Sequence, residues 1–283
     1  MLKILSSGFY TTIQDLGRFG YGDIGVPVSG AMDLYSAKLG NHILGNNHVD
    51  AVLEITLSKF SCRFDKETII CISGADLSPK LNDNNIALNT AINIDKGTVL
   101  TFDTPVYGVR SYLAVKGGFQ TQKILGSRSF FNGVTDQFLI KKNDIIPFEK
   151  FNSNLGRSFS AVKINVEHFN SKTITVYKGP EFGLLSKEQQ EKLTNTEFAI
   201  SKDNSRMGYR LEELIPNDFQ SMLTSAVLPG TVQLTPSGEL IVLMRDGQIT
   251  GGYPRILQLT DTAINILAQK TTKNTFKFKV ISI

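Results

Sequence analysis

Apolar residues in this chain gather in short runs, several alternating with polar neighbours, and Gly, Asn, Asp or Pro bound most of them. Such runs predict β-strands, because a period of two sets one face against a core and turn residues end it. They fall at residues 2–5, 52–57, 68–73, 99–102 and 111–115, and again at 174–177, 198–201, 230–234, 240–243, 255–259 and 275–281. Helical spacing is confined to three segments. Between Asp33 and Leu44, Tyr35, Leu39 and Ile43 share a face, Asp33 stands at the cap, and Gly45 can end the last turn. Ser186 and Gln189 have capping-box spacing at the head of a helix ending near Thr194. A third helix spans roughly Thr260 to Gln269, with Ala263, Ile264, Leu267 and Ala268 on one face. Closely spaced strands and few helices predict a mainly β fold of two barrel-like units rather than a doubly wound α/β sheet. The polar stretch 152–160 (NSNLGRSFS) reads as a linker, dividing the chain near residue 155 into units 1–155 and 156–283.

Composition removes several classes of function. The 283 residues are 41% hydrophobic and 20% charged, as in a water-soluble globular protein long enough for two units. A net charge of +4 without a dense Lys/Arg run gives no track for nucleic acid. Cys62 and Cys71 lack metal-ligand spacing, and with three dispersed histidines they predict no metal site. Free thiols suit a reducing, cytoplasmic setting. The opening MLKILSSGFYTT lacks the apolar run of a signal peptide, and no stretch is long and apolar enough for a membrane helix.

Three clusters carry candidate chemistry. In the first, Gln14, Asp15 and Arg18 sit among glycines, followed by the turn-rich stretch Gly25 to Gly30 and the helix expected at Asp33. Glycine-rich loops bring backbone N–H groups close to a ligand, so this segment reads as a binding floor. Gly20 to Gly25 also matches G-x-G-x-x-G, but Val26-Pro27-Val28-Ser29-Gly30 follows and cannot continue a helix, which excludes a dinucleotide fingerprint. In the second cluster, Arg206 and Arg210 stand four apart around Gly208. On a strand both would share a face, and their guanidinium forks could grip carboxylates in one cavity; solvent-facing arginines are the alternative. The third is Gln248 to Pro254, a tight turn bearing Tyr253, which reads as a β-turn or a binding loop. The hairpin through Pro229–Gln233 and Pro236–Gly238 could carry Gln233 to the same pocket. No P-loop and no G-x-S-x-G nucleophile elbow is present.

QDLGRFGYGDIGVPVSGAMD, GNHILGN, LE, SRMGYRL, GTVQL and QITGGYPRI occur in that order. Together they resemble the biotin-dependent carboxyltransferase family, which includes KipA, the second-subunit-type domain of allophanate hydrolase and the C-type subunit of bacterial 5-oxoprolinase. The resemblance covers nearly the whole chain and implies cyclophilin-like β-barrels. It implies one subunit of an ATP-dependent 5-oxoprolinase, a hydrolase that opens 5-oxoproline to glutamate together with a KipI-like and a LamB/YcsF-like subunit. Two alternatives go with it: carboxyl transfer from carboxybiotin to an amide or urea-like acceptor, and a non-catalytic KipA-type regulator that binds a KipI-like protein. Gln14, Asp15 and Arg18 match the family's QDxGR, and Ser29, Gly30 and Asp33 its SGAMD. Arg206, Tyr209 and Arg210 match RMGYR, while Gln248, Thr250, Gly251, Gly252 and Tyr253 match QTTGGYP, with Ile249 replacing a threonine.

The implied roles suit these residue types. Arg206 and Arg210 would hold carboxylate, and Asp15 or Tyr209 would move a proton at the acceptor nitrogen. Gln14, Gln233 and Gln248 would orient amide or ureido groups. A structural ion pair between Asp15 and Arg18 is the competing account of those two residues. No Ala-Met-Lys-Met type lysine motif is present, so no cofactor is expected to be held tightly: biotin would come on a separate carrier protein and ATP would serve the complex. The chain departs from the family at Lys270–Asn274, where a Pro-Gly-Asp turn is usual, and at Phe130–Val134, after Leu125-Gly126-Ser127-Arg128-Ser129.

Overall fold

The computed structural model describes residues 1–57, 59–151, 162, 166–220 and 222–282. The expected linker at 152–160 lies outside the described residues. The chain divides into two compact units, Met1–Arg18 with Ser29–Val166, and Phe19–Val28 with Glu167–Ile283.

The first unit contains β1 (Leu2–Ser7), β2 (Tyr10–Gln14), β3 (Val52–Thr56), β4 (Phe60–Phe64), β5 (Thr68–Asp76), β6 (Lys80–Leu81), β7 (Asn84–Asn85), β8 (Ile92–Ile94), β9 (Val99–Thr101), β10 (Tyr107–Val115) and β11 (Ile145–Ile146). They form a sheet in the order β11-β1-β4-β9-β6-β7 and another in the order β2-β3-β10-β5-β8. One apolar core takes side chains from both sheets, among them Leu2, Phe60, Phe64, Leu53, Ile70, Ile72 and Leu113. The helix α1 (Leu34–Ile43) packs on β5 and β10, and the alternate residues Ile69, Cys71, Tyr112 and Ala114 join its cluster. Period-two alternation thus serves two cores, which is why these strands read as unbroken apolar runs. The helix begins where the sequence places it. Asp33 accepts from Ser36 N–H (3.1 Å) and Ser36 Oγ–H (2.6 Å), and Gly45 follows its end at φ +60°.

The second unit holds β12 (Thr173–Lys178), β13 (Phe198–Asn204), β14 (Gly208–Leu211), β15 (Ser225–Ala226), β16 (Thr231–Leu234), β17 (Leu240–Leu243), β18 (Thr250–Gly251), β19 (Arg255–Leu259) and β20 (Thr275–Val280). Seven of them close a barrel in the order β12-β19-β16-β17-β14-β13-β20, the ring being completed by parallel pairing of β20 with β12. β15 and β18 form a two-stranded ribbon that belongs to no other sheet. Its helices are α2 (Glu167–Asn170), α3 (Lys187–Asn195) and α4 (Asp261–Leu267). Both capping-box bonds between Ser186 and Gln189 form, and Thr260 caps α4 by accepting from Ala263 N–H at 3.1 Å. The mainly β expectation holds. The expected runs omit α2, β2, β4 and the short strands β6, β7, β8, β11, β15 and β18, although the pattern of β4 was legible. β4 (FSCRF) alternates cleanly, whereas β2 (YTTIQ) buries Thr11, Thr12 and Gln14, and buried polar residues hide a strand's period.

Candidate functional site

In the first unit, the QDxGR and SGAMD segments are held by a buried polar network. The Asp15 carboxylate accepts from Ser127 Oγ–H (2.6 Å), Ser129 Oγ–H (2.7 Å), Arg128 N–H (2.6 Å) and Gly17 N–H (2.8 Å). Four donors on one buried carboxylate make it the knot that ties the 127–129 loop to the end of β2. Arg18 donates to the Ser129 carbonyl. Gln14 spends its Nε2 on Thr12 Oγ1 (3.0 Å) and Phe130 O (3.4 Å). Its Oε1 and the Ser29 hydroxyl are buried without a hydrogen-bond partner among the described residues. Gly30 sits at φ +88°, where a Cβ would stand 2.8 Å from the Leu16 carbonyl carbon. Asp33, an expected ligand-binding residue, uses its carboxylate on the helix cap.

Beneath this loop lies the carboxylate of the LE segment, Glu54, to which the resemblance assigned no role. Glu54 Oε2 accepts from Met32 N–H (2.8 Å) and Tyr112 O–H (2.9 Å), and Tyr112 Oη in turn accepts from Asp33 N–H (2.8 Å). Arg110 Nε lies 3.8 Å from Glu54 Oε1. Burial, then the Glu54 and Asp33 carboxylates, push the Tyr112 phenol well above its ordinary pKa, so it remains a donor. In the sequence Glu54 shows as a charged residue inside an apolar run and as the end of the LE segment.

In the second unit, a pocket of about 560 Å³ opens on the outer face of the barrel wall. Arg210 on β14, Ile241 on β17 and Gln233 on β16 stand in one cross-strand row and therefore point to one side. Lys202, Asp203, Asn204, Ser205 and Met207 line one side of the pocket, and Gln248 and Tyr253 bring the third motif to it. Arg210 is exposed and its Nη1 meets Glu239 Oε2 at 2.5 Å. Gln233 is 1% exposed, and its Nε2 has no hydrogen-bond partner among the described residues. Gly251 lies directly on that amide; a Cβ there would stand 2.3 Å from Nε2. Thr250 and Gly252 lie in the ribbon and its flank, where Gly252 O accepts from Met222 N–H (2.9 Å).

The paired-arginine geometry expected of RMGYR is corrected. The strand begins at Gly208, so Arg206 lies in the preceding turn and the four-residue spacing does not bring it to the Arg210 face. Arg206 is 6% exposed and grips Asp246 through Nε–Oδ2 (2.7 Å) and Nη2–Oδ1 (3.0 Å), because a buried cation needs its counter-ion. Tyr209 points into the barrel, fully buried, and donates to Lys270 O at 3.3 Å. The inward turn of Tyr209, Val232 and Val242 is what leaves Arg210 and Gln233 outside.

Both cysteines are buried; burial pushes the Cys71 thiol up to about 12 and Cys62 higher, which leaves neither a ready nucleophile. Among the described residues no group of three or more His, Cys, Asp or Glu stands together as a metal site, and no helix is long and apolar enough to cross a membrane.

Comparison with known proteins gives consistent findings. The family model described as carboxyltransferase domain, subdomain A and B, matches residues 24–280. The chain is 33% identical over 275 residues to the C-type subunit of 5-oxoprolinase from Escherichia coli, covering 95% of this chain and 87% of that protein. It is 30% identical over 291 residues to the corresponding 5-oxoprolinase subunit of Haemophilus influenzae, covering 100% and 92%. Among solved structures, the urea amidolyase of K. lactis superposes with a TM-score of 0.86 at 28% identity, over 99% of this chain but only 19% of that one.

Proposed function

The chain belongs to the carboxyltransferase domain family, subdomains A and B, and from that premise we propose that it is the C-type subunit of an ATP-dependent 5-oxoprolinase, opening 5-oxoproline to glutamate with a KipI-like and a LamB/YcsF-like subunit in the cytoplasm. The observation that carries the reading is the buried, unpartnered Gln233 Nε2 at a pocket that also holds Arg210, Gln248 and Tyr253. A buried amide donor left without an acceptor costs about 1–3 kcal/mol, and a ligand carbonyl would remove that cost. In this reading Gln233 donates to the lactam carbonyl, Arg210 exchanges Glu239 for the substrate carboxylate, and Tyr253 covers the ring. ATP, used by the complex, would supply the activation that makes the amide carbon open to water. The Asp15 and Glu54 networks keep the Gln14–Arg18 and Ser29–Asp33 segments in shape.

The second reading is carboxyl transfer from a biotin on a separate carrier to a urea-like acceptor, which the family description and the urea amidolyase likeness favour. The same donors suit it, since a ureido oxygen and a carboxylate need the same groups. The test is to assay ATP-dependent glutamate release from 5-oxoproline by this chain alone, and with the KipI-like and LamB/YcsF-like proteins. The chain alone should be silent and the three together should turn over. Turnover by the isolated chain ends the reading that it works only with those subunits. Silence of all three, with carboxyl transfer from free carboxybiotin to urea present, moves the assignment to the second reading; silence in both assays leaves the regulator.

A further inference from the structure

We propose that Arg255 is a positioning residue: it clamps the ribbon of β15 and β18 against the pocket and so sets how tightly the pocket closes on its ligand. This rests on the pocket reading above. Arg255 continues the row that forms the pocket floor, since it is the β19 partner of Gln233. Its Nε and Nη2 make a fork on Glu181 Oε2 (2.9 Å) and Oε1 (2.7 Å), and its own N–H also goes to Oε2 (2.9 Å). That fork fixes the guanidinium plane, and the remaining Nη1 donates to the Ala226 carbonyl at 2.9 Å. Ala226 is the ribbon residue paired with Thr250, next to the Gly251 that lies on the Gln233 amide.

The ribbon's main-chain hydrogen bonds join its own two strands. Its residues Ala226 and Thr250 are exposed, and its flanking main-chain bonds, Met222 N–H to Gly252 O and Val227 N–H to Ile249 O, cross between the same two strands. A two-stranded element of two residues a strand is marginal by itself and opens at low free energy unless tied down. One arginine therefore joins the barrel row, the Glu181 turn and the wall that meets Gln233. Nothing in composition or motif spacing assigns it this role; the geometry does.

The experiment measures amide hydrogen exchange on the full chain, with 5-oxoproline kinetics on the assembled complex. Arg255→Gln should speed exchange over residues 222–227 and 249–253 by about tenfold or more while Phe198–Asn204 and Leu240–Leu243 keep their protection. Arg255→Lys should fall between, and Glu181→Gln should reproduce the ribbon effect without touching the arginine. In the complex, Arg255→Gln should raise KM about tenfold with kcat near that of the unaltered protein. Unchanged ribbon exchange, loss of protection in the barrel strands together with the ribbon, or an unchanged KM in an active complex each overturns the proposal. If the unaltered complex shows no turnover, the functional reading fails and the exchange result alone decides the clamp.

Discussion

Arg206 and Gln233 are both buried polar residues in the second unit, and their surroundings assign them opposite roles. Arg206 has a bidentate carboxylate partner in Asp246, itself 7% exposed. Removing one member of such a pair strands the other charge, so Arg206→Ala should destabilise the chain by about 3–5 kcal/mol in chemical unfolding. A loss below about 1 kcal/mol would show that Asp246 rehydrates without cost. Gln233 Nε2 has no such partner, and its burial is already a cost to the fold. Gln233→Leu should therefore leave stability unchanged or raise it by on the order of 1 kcal/mol, while lowering complex turnover at least about a hundredfold. A variant that keeps full turnover removes Gln233 from the site. Gly30 illustrates a third case: at φ +88° and with backbone 2.8 Å from any Cβ, Gly30→Ala should cost about 1–3 kcal/mol. Motif position singled out Gln233 and Gly30 as candidates; which carboxylate Arg206 would meet, 40 residues away along the chain, was not written in either segment.

Elements were legible wherever local chemistry closed on itself. Asp33, Ser186 and Thr260 cap their helices because the bonds involved span three residues. Asp33→Ala should cost about 0.5–2 kcal/mol by loosening the start of α1, read as lost protection of Ser36 N–H. The Arg255–Glu181 clamp gives the ribbon a pH dependence. Hydrogen bonding from Arg255 holds the Glu181 carboxyl below its usual range. A depressed carboxylate contributes stability that is complete above the unfolded value, near about pH 4.3, and is lost as pH falls through the folded value. Ribbon protection should fall in that acid window, and Glu181→Gln should flatten the curve there. An identical acid profile in the variant would assign the titration to other groups.

At the scale of the whole chain, the second unit depends on a pairing between its two ends. β20 joins β12, with Thr173 opposite Lys277, and also β13, with Phe198 opposite Phe276. Ending the chain at residue 272 removes β20 and leaves β12 and β13 as open edges, which are templates for association. That truncation should give soluble aggregates on size-exclusion chromatography rather than a single sharp species; a sharp monomer with intact strand signal would show that the barrel closes without it.

The sequence alone determined the mainly β class, most of the longer strand positions, three helices, two of them with their caps, and the motifs from which the pocket takes Gln233, Gln248 and Tyr253. Each of these follows from side-chain period or from bonds between residues near in the chain. Only the tertiary structure decided that Arg206 faces Asp246 rather than Arg210's pocket, that Glu54 and Tyr112 support the Met32–Asp33 backbone, and that Arg255 reaches Ala226. Those choices depend on which distant charge or carbonyl the closed barrel and the stacked sheets bring within about 3 Å, and a linear pattern carries no term for that distance.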